Sequence, residues 1–361
     1  MLKRIGVVGC GNISDIYLTN LTVMFNKQVE VTALTDLKPD RAEKASAKYN
    51  VHYIKNTSDL INSPQTDIIL NITEPNSHYK VALETVNAGK HIYGEKPLCA
   101  TREEALEVLK IAEKNKLLVG NAPDTFLGAG IQTCRKIIDE GQIGKPVAAV
   151  AFMVNHGHES WHPGPEFYYK NGGGPMFDMG PYYLTALITL MGPITRVSGS
   201  AKKSFDKRTI TSEPLNGKVI DVDVPTHIAG VMDFASGAAG TIITSFDVYS
   251  HTLPCIEIYG SEGSLRVPDP NTFGGKVFIS RFREEKWTEA PLLSNYSENS
   301  RGLGLADMAD AISTGRSHRA SGELAYHVLE VMHGFHDASA SGTYYNVKSS
   351  CRQPEPMIQT G

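Results

Sequence analysis

Residues 9–14, which read G-C-G-N-I-S, are the first segment whose residue types and spacing suit cofactor chemistry. They lie between an apolar strand candidate and a helix candidate. In dinucleotide-binding turns the first glycine permits the tight turn, and the second lets the backbone approach a pyrophosphate. The third glycine serves helix packing, a task that the small Ser14 can take over. The turn predicts a pyrophosphate site whose contacts are Gly9, Gly11, Asn12 and Ile13.

An aspartate stands where the second strand candidate ends. Asp36 follows the glycines at a distance that suits hydrogen bonds to the adenosine ribose, and its carboxylate would repel the extra phosphate of NADP. Lys38 and Arg41 lie close enough in sequence to offer that phosphate a positive charge. We therefore predict NAD as the cofactor, with NADP left open. The alternative is a glycine turn and a surface aspartate in an α/β domain that binds no nucleotide.

Three further segments complete a recognisable order. Residues 73–78 read T-E-P-N-S-H, residues 95–97 read E-K-P, and a triple glycine at 172–174 precedes F-D-M-G-P-Y at 177–182. Behind the glycine turn, these segments resemble the motifs of the Gfo/Idh/MocA family, which includes glucose-fructose oxidoreductase, inositol dehydrogenase and dihydrodiol dehydrogenase. The resemblance covers nearly the whole chain. It implies an NAD(P)-dependent oxidoreductase with an N-terminal Rossmann domain and a C-terminal domain on an open, largely antiparallel sheet.

The resemblance also implies roles for single residues. Lys96 matches the catalytic lysine, Asp178 belongs to the D-x-G-x-H/Y segment, and Tyr182 holds the proton-transferring position, where many members have histidine. Alternatively, His78 only caps the helix that follows the fourth strand candidate. The further cofactor contacts that the resemblance implies are Thr73, Pro75, Asn76, His78, Glu95 and Lys96.

Hydride chemistry supports these residue types independently. Moving a hydride between nicotinamide and a carbon–oxygen centre requires that oxygen to gain or lose a proton. Tyr182 can exchange this proton if an ammonium such as Lys96 stabilises its phenolate, and Lys96 can stabilise a developing alkoxide. Asp178 shares a helix face with Tyr182 because the two are four residues apart. Without the motifs, Lys96 would be taken as a solvated side chain and Tyr182 as core packing.

A loop rich in histidine is the other candidate for chemistry. Gly157 and Pro163 exclude the helix that an H-E-x-x-H zinc site needs, so we predict no metal. Aromatic and imidazole side chains instead suit stacking on and hydrogen bonding to a polyhydroxylated ligand. The residues of the loop whose types could ligate a metal are His156, His158, Glu159 and His162. The predicted substrate contacts are Trp161, His162, Tyr168 and Tyr169, with Lys96, Asp178 and Tyr182.

The elements that must position these residues follow two patterns. Up to about residue 122, apolar strand candidates at 5–9, 29–36, 67–73, 91–95 and 117–121 alternate with helical spacing, which predicts a doubly wound parallel sheet. A capping box from Thr101 to Glu104 opens one of these helices. Beyond residue 124 the signals are hairpins, 227–234 with 240–248 and 255–259 with 264–267, which predict antiparallel pairing. The polar stretch 202–217 is predicted to be a surface excursion.

These patterns divide the chain into a Rossmann domain at 1–123 and a substrate-binding and oligomerisation domain at 124–361. Helix candidates at 305–313 and 323–338 are expected to pack back on the first domain. The net charge of −4 disfavours nucleic acid as a partner. The five scattered cysteines include no C-x-x-C pair and indicate free thiols in a reducing compartment. No apolar run is long enough for a membrane span. We expect a cytoplasmic protein.

The leading function is hydride transfer on a hydroxyl or carbonyl carbon of a sugar, cyclitol or related polyol, in either direction. The family resemblance also permits a glycosidase that oxidises its substrate transiently and returns the hydride. It permits a non-catalytic NAD-binding regulator too, which retention of Lys96 disfavours. It implies a homodimer or homotetramer.

Overall fold

The first part of the chain folds as predicted into a parallel sheet, with the strand order β3-β2-β1-β4-β5-β6. The computed structural model describes residues 2–284, 286–293 and 295–357. The order reverses between β1 and β4, and such a switch point is where open α/β sheets bind ligands. The strands are β1 (Lys3–Val8), β2 (Val29–Thr35), β3 (His52–Tyr53), β4 (Ile68–Asn71), β5 (His91–Gly94) and β6 (Val119–Asn121).

Helices connect these parallel strands, as the amphipathic spacing predicts. The capping box is confirmed: the Thr101 hydroxyl accepts from Glu104 N, and the Glu104 carboxylate accepts from Thr101 N, both at 3.2 Å. The helices are α1 (Ser14–Val23), α2 (Pro39–Tyr49), α3 (Thr57–Ile61), α4 (Pro75–Asn87) and α5 (Arg102–Lys114).

The second sheet is mixed and largely antiparallel. Its strands are β7 (Pro146–Val154), β8 (Ile194–Lys202), β11 (His227–Phe234), β12 (Ala239–Ser245), β13 (Ile256–Gly260), β14 (Gly263–Val267), β15 (Val277–Arg281), β16 (Thr288–Ala290) and β17 (Tyr345–Asn346). The order is β16-β15-β14-β13-β7-β12-β11-β8-β17, with β7 and β12 as its parallel pair. Both predicted hairpins, β11–β12 and β13–β14, are present. The separate strands β9 (Lys207–Thr209) and β10 (Val219–Asp221) pair with each other.

The prediction of a surface excursion at 202–217 is wrong for part of that stretch. Strand β9 runs through it, Ile210 is fully buried, and the side chain of Arg208 is only 6% exposed. The polar composition misleads because Arg208 enters the interior to meet buried carboxylates.

Two helices accompany the second sheet, α6 (Ala129–Asp139) and α7 (Pro175–Met191). Helix α7 is apolar on all sides and packs against α6, β7, β11 and β12. A helix of this kind belongs inside the fold, so any polar group on it needs a partner there.

Two closing helices follow, α8 (Leu303–Thr314) and α9 (Gly322–Ser341). The chain divides into two compact units, one formed by the chain up to Leu127 with Asn299–Leu329, the other by Gly128–Glu298 with the chain from Glu330 onward. Helix α8 therefore belongs to the unit that contains the parallel sheet. All five cysteines are free thiols, as predicted. No helix among the described residues is long and apolar enough to cross a membrane.

Candidate active site

The glycine turn between β1 and α1 requires its first glycine for reasons internal to the fold. Gly9 has a φ of +105°, and a Cβ atom there would lie 2.7 Å from the carbonyl oxygen of Ile72. Gly11 differs, because a Cβ atom there would have no described atom within 4 Å. The protein alone therefore does not exclude a side chain at Gly11, whereas a phosphate approaching the backbone would. This arrangement fits a dinucleotide pyrophosphate.

The start of α1 supports the same fit. Ser14 occupies the position of the third glycine and is buried, with its hydroxyl donating to Gly11 O at 2.6 Å. No side chain of the preceding residue, Ile13, caps the first turn of the helix. Helix N-termini with uncapped N–H groups attract phosphate.

Asp36 links the end of β2 to the glycine turn. One oxygen of its carboxylate accepts from Cys10 N at 2.7 Å, and the other accepts from Lys38 N at 2.7 Å. Both bonds come from backbone N–H groups, so the carboxylate is fixed in place. Asp36 therefore has a structural task in addition to the predicted ribose contact.

The Glu95-Lys96-Pro97 segment follows β5 at the carboxyl edge of the parallel sheet. The Glu95 carboxylate accepts from the Tyr17 hydroxyl at 2.7 Å and from Lys96 N at 3.0 Å. Burial raises the pKa of Tyr17 well above its ordinary value, with the Glu95 charge adding to the effect, so the hydroxyl remains a donor. The Asn121 amide donates to Gly94 O at 3.0 Å and to Glu95 O at 2.9 Å. These bonds fix the backbone from which Lys96 projects.

His78 holds the same segment from another direction. Its ring is almost fully buried, with Nδ1 2.7 Å from Pro97 O and Nε2 3.0 Å from Thr73 O. Burial lowers the pKa of His78, and a neutral imidazole has a single N–H to donate. The capping alternative is wrong, because both ring nitrogens face carbonyl oxygens rather than helix N–H groups. His78 therefore joins the strand ends that follow β4 and β5, which include the cis peptide bond between Lys96 and Pro97.

The predicted cofactor residues all lie in the first unit, at or just beyond the carboxyl ends of four neighbouring strands, β1, β2, β4 and β5. Pro75 and Asn76 begin helix α4 there. The complete set is Gly9, Gly11, Asn12, Ile13, Asp36, Thr73, Pro75, Asn76, His78, Glu95 and Lys96.

The predicted substrate residues other than Lys96 lie in the second unit. Asp178 stands in the first turn of α7, where its N–H donates to Gly174 O at 3.0 Å. Tyr182 follows one turn later and is 8% exposed. Oδ2 of Asp178 lies 3.3 Å from Nε2 of His158, which brings the histidine-rich loop to the start of α7.

Aromatic rings of the loop and of the short 3-10 helix Pro165–Tyr169 gather around this pair. The His158 ring lies 3.9 Å from the Tyr168 ring and meets the Trp161 ring edge-on at 5.3 Å. His162 contacts Trp161 and Tyr168, with ring centroids 5.3 and 5.4 Å apart. The structure thus brings Trp161, His162, Tyr168 and Asp178 together, and it adds His158, which the sequence presented only as a residue whose type could ligate a metal.

Tyr169 is packed inside the second unit, and its prediction as a substrate contact is wrong. The side chain is fully buried, and its hydroxyl donates to Glu159 at 2.5 Å. Burial raises the pKa of Tyr169, and the hydrogen bond to Glu159 adds to the effect. Its neighbour Tyr168 takes the position in the aromatic cluster, because adjacent residues point in different directions.

Buried ions anchor the loop. Arg208 Nη1 donates to Glu159 at 2.9 Å, and Nη2 donates to Phe246 O at 2.8 Å and to the Asp247 carboxylate. These three charged side chains are all less than a tenth exposed. Nothing in the sequence signals Arg208, because a lone arginine in a polar stretch normally lies on the surface.

The residues of the loop whose types could ligate a metal point to different neighbours. Glu159 faces Arg208, and the His156 ring stacks on Tyr249 at 3.5 Å. Within the described residues no three His, Cys, Asp or Glu side chains converge as metal ligands do.

Comparison with known proteins gives a family match in both parts of the chain. The family model for the oxidoreductase family with an NAD-binding Rossmann fold matches residues 3–122, and the GFO/IDH/MocA C-terminal domain matches residues 131–266. A myo-inositol 2-dehydrogenase of Thermotoga maritima is 25% identical over 263 residues, which cover 73% of this chain and 74% of that protein.

Solved structures share the fold. An NAD-binding oxidoreductase from Klebsiella pneumoniae superposes with a TM-score of 0.84 at 21% identity, over 97% of this chain and 100% of that one. A levoglucosan dehydrogenase in complex with NADH and levoglucosan gives 0.83 at 17% identity, over 96% and 99%. With family matches in both of its halves, this chain belongs to the Gfo/Idh/MocA family of NAD-binding oxidoreductases.

Proposed function

We propose that the protein is an NAD-dependent dehydrogenase that moves a hydride between nicotinamide and a hydroxyl or carbonyl carbon of a sugar, cyclitol or related polyol. The observation that carries the substrate class is the cluster of Asp178, His162, Trp161 and Tyr168. A carboxylate and an imidazole can hydrogen-bond hydroxyl groups, and aromatic faces can stack on the C–H face of a sugar ring. The inositol and levoglucosan dehydrogenases among the similar proteins support the same class.

NAD, when bound, supplies or accepts the hydride. We propose that Gly9, Gly11, Asn12 and Ile13 bind its pyrophosphate and that Asp36 binds its adenosine ribose. The open approach to Gly11 and the uncapped start of α1 support the first assignment. The remaining contacts would come from Thr73, Pro75, Asn76, His78, Glu95 and Lys96, and the backbone bonds of His78 make it a support for this edge as well.

Tyr182 exchanges the proton of the reacting substrate oxygen in this proposal, and Lys96 stabilises the charge that develops there. Asp178 binds a substrate hydroxyl beside Tyr182, one helical turn away. Trp161, His162 and Tyr168 complete the substrate contacts. The firm anchorage of the Lys96 backbone supports its role, because a group that stabilises developing charge must be held in place.

The test is a screen of polyols and aldoses with NAD and with NADP, followed by the absorbance of the reduced nicotinamide. Tyr182→Phe and Lys96→Ala should each lower turnover by roughly 100- to 10,000-fold, and NAD binding should stay close to wild type in Tyr182→Phe. Tyr183→Phe is the matched control, since this neighbouring tyrosine is likewise buried on α7. If Tyr182→Phe and Tyr183→Phe lower turnover by the same factor, Tyr182 is not the residue that exchanges the proton.

A glycosidase is separable in the same assay, because it would cleave a glycoside without net formation of NADH. We further propose that residues 1–123, together with the Asn299–Leu329 segment of the same compact unit, form the cofactor domain, and that the rest of residues 124–361 binds the substrate and assembles a cytoplasmic homodimer or homotetramer. Strands β11 and β12 alternate fully buried with more exposed residues, which supports one sheet face being available for assembly. Light scattering after size exclusion tests the assembly, and a monomer would contradict it.

A further inference from the structure

His158 has the surroundings of a side chain with a specific task. The residue is 7% exposed, yet neither of its buried ring nitrogens has a hydrogen-bond partner among the described residues. Nε2 nevertheless lies 3.3 Å from Oδ2 of Asp178, which is an ion-pair distance. At this separation the buried nitrogen has the carboxylate oxygen of Asp178 as an acceptor within reach.

The ring cannot easily turn away from Asp178. Tyr168 lies against it at 3.9 Å, Phe246 meets it edge-on at 4.7 Å, and Trp161 meets it edge-on at 5.3 Å. Three aromatic neighbours restrict the rotation of the imidazole. The nitrogen that faces Asp178 is therefore held there by packing.

The backbone of His158 is fixed as well. Its N–H donates to the Tyr169 hydroxyl at 3.3 Å, and that hydroxyl donates to Glu159. The carbonyl of Glu159 accepts from the backbone N–H groups of Thr211 and Ser212, both at 2.9 Å. Arg208 holds the Glu159 side chain. The loop thus presents His158 from a base that is tied to other elements of the unit.

We propose that His158 is a positioning residue that acts through Asp178. By donating from Nε2 to Oδ2, it fixes the rotation of the Asp178 carboxylate and so the direction in which that group meets a substrate hydroxyl. This inference deepens the proposed function and rests on it, since it takes Asp178 as a substrate contact. A donor at this position is what matters, and the second ring nitrogen has no part in the task.

Three variants test the proposal by steady-state kinetics with the polyol found in the screen. His158→Phe keeps the packing ring and removes the donor, and it should lower kcat/KM for the polyol roughly 10- to 100-fold, as a misplaced contact group does. His158→Gln keeps an N–H donor and should stay within about fivefold of wild type. His156→Phe is the control, because this ring stacks on Tyr249 in the same loop. The KM for NAD should not change in any of them.

A double-mutant cycle separates positioning from general damage to the loop. In an Asp178→Asn background, adding His158→Phe should cost less than about threefold, because the carboxylate that His158 orients is gone. The proposal is overturned if His158→Phe lies within twofold of wild type. It is overturned equally if His158→Gln falls as far as His158→Phe, or if the phenylalanine costs the same in both backgrounds.

A measurement without turnover keeps the two proposals distinguishable. In spectra of the ¹⁵N-histidine-labelled protein, the Nε2 signal that is lost in His158→Gln should shift in Asp178→Asn more than any other histidine signal. An unmoved signal would show that His158 does not hold Asp178. If the wild type oxidises none of the polyols, the proposed function fails, while these spectra still decide whether the pair exists.

Discussion

The carboxyl edge of the parallel sheet and the histidine-rich loop of the second unit hold their candidate functional side chains by different means. Glu95, whose carboxylate accepts from Lys96 N, is held by uncharged donors from regular elements: its carboxylate accepts from the Tyr17 hydroxyl on α1, and its carbonyl accepts from the Asn121 amide on β6. The loop that carries His158 is fixed by the buried charges of Glu159, Arg208 and Asp247.

The difference follows from the backbone at each place. A strand end is already held by its ladder, so individual hydrogen bonds of about 1–3 kcal/mol are enough to orient it. The loop lacks a ladder, and beyond the two backbone N–H groups that donate to Glu159 O it depends on side chains. Buried ions hold it strongly as long as all of them are present, and removal of one leaves the others uncompensated. We therefore expect the loop to be the more vulnerable of the two regions.

Arg208→Met should cause the largest loss of stability among the variants that test this difference. The variant keeps the side-chain volume but leaves Glu159 and Asp247 as buried carboxylates without their cation. Loss of one partner of a buried ion pair costs about 3–5 kcal/mol, and urea unfolding should report a loss of that size. The polyol KM should also rise, because the loop loses its anchor.

The control for Arg208 is Arg196→Met. Arg196 pairs with Asp233 at 2.6 Å, but its side chain is 46% exposed, and exposed pairs contribute roughly 0–1 kcal/mol. Equal losses of stability in the two variants would contradict the view that burial makes the loop network fragile.

Asp124 provides the next test, in the first unit. Its buried carboxylate accepts from Gly302 N at 2.9 Å and from Gly304 N at 3.0 Å, at the start of α8. Burial raises its pKa from 3.8 to about 6. The folded protein therefore binds this proton more tightly than the unfolded chain does. The stability that this group contributes is present below about pH 4 and is lost as the pH rises through 6, by roughly 3 kcal/mol.

Asp124→Asn cannot titrate and can still accept with its amide oxygen. Its free energy of unfolding, relative to wild type, should therefore increase between about pH 4 and pH 7 by up to that amount. Urea titrations of both proteins at several pH values measure the difference. If the free energies of unfolding of the two proteins change with pH in the same way, Asp124 is not the group that binds this proton.

Motifs and alternating patterns were sufficient to predict the parallel sheet and the edge at which the candidate cofactor residues lie. The glycine turn, Asp36 and the E-K-P segment depend on local sequence, and parallel strands bring their carboxyl ends to one edge. Strand β3 was missed because two residues carry no periodicity, and β8 to β10 were missed because their residues are polar or half-exposed.

The composition of the histidine-rich loop suggests contacts to a substrate, but its arrangement could not be predicted. Nothing in the sequence separates Tyr168 from Tyr169, although one belongs to the aromatic cluster and the other is a buried anchor. The contact between His158 and Asp178 joins a loop to a helix, and the partner of Glu159 comes from a distant strand. Such contacts depend on tertiary packing, which local patterns do not encode.

Tyr17→Phe sharpens the comparison from the cofactor side. It removes the hydroxyl that donates to Glu95, and hydrogen bonds to charged acceptors contribute roughly 1.5–3 kcal/mol. We expect a loss of stability in that range and a lower kcat, because Glu95 also holds Lys96 N. Tyr79→Phe is the control, since its hydroxyl donates to Glu107 at the surface. A kcat that stays at the wild-type value would show that the Tyr17 bond does not position Lys96.

Asp36→Ala has the smallest expected effect, and it is judged by the ratio of the affinities for NAD and NADP. The affinity for both cofactors should fall, because Cys10 N and Lys38 N lose the acceptor that fixes the turn. The affinity for NAD should fall further, by about tenfold or roughly 1.4 kcal/mol, because the ribose hydroxyls lose a charged acceptor while repulsion of the NADP phosphate disappears. Fluorescence titration with NADH and NADPH gives both affinities. If the two fall by the same factor, Asp36 serves only the turn, and the cofactor preference must arise elsewhere along this edge.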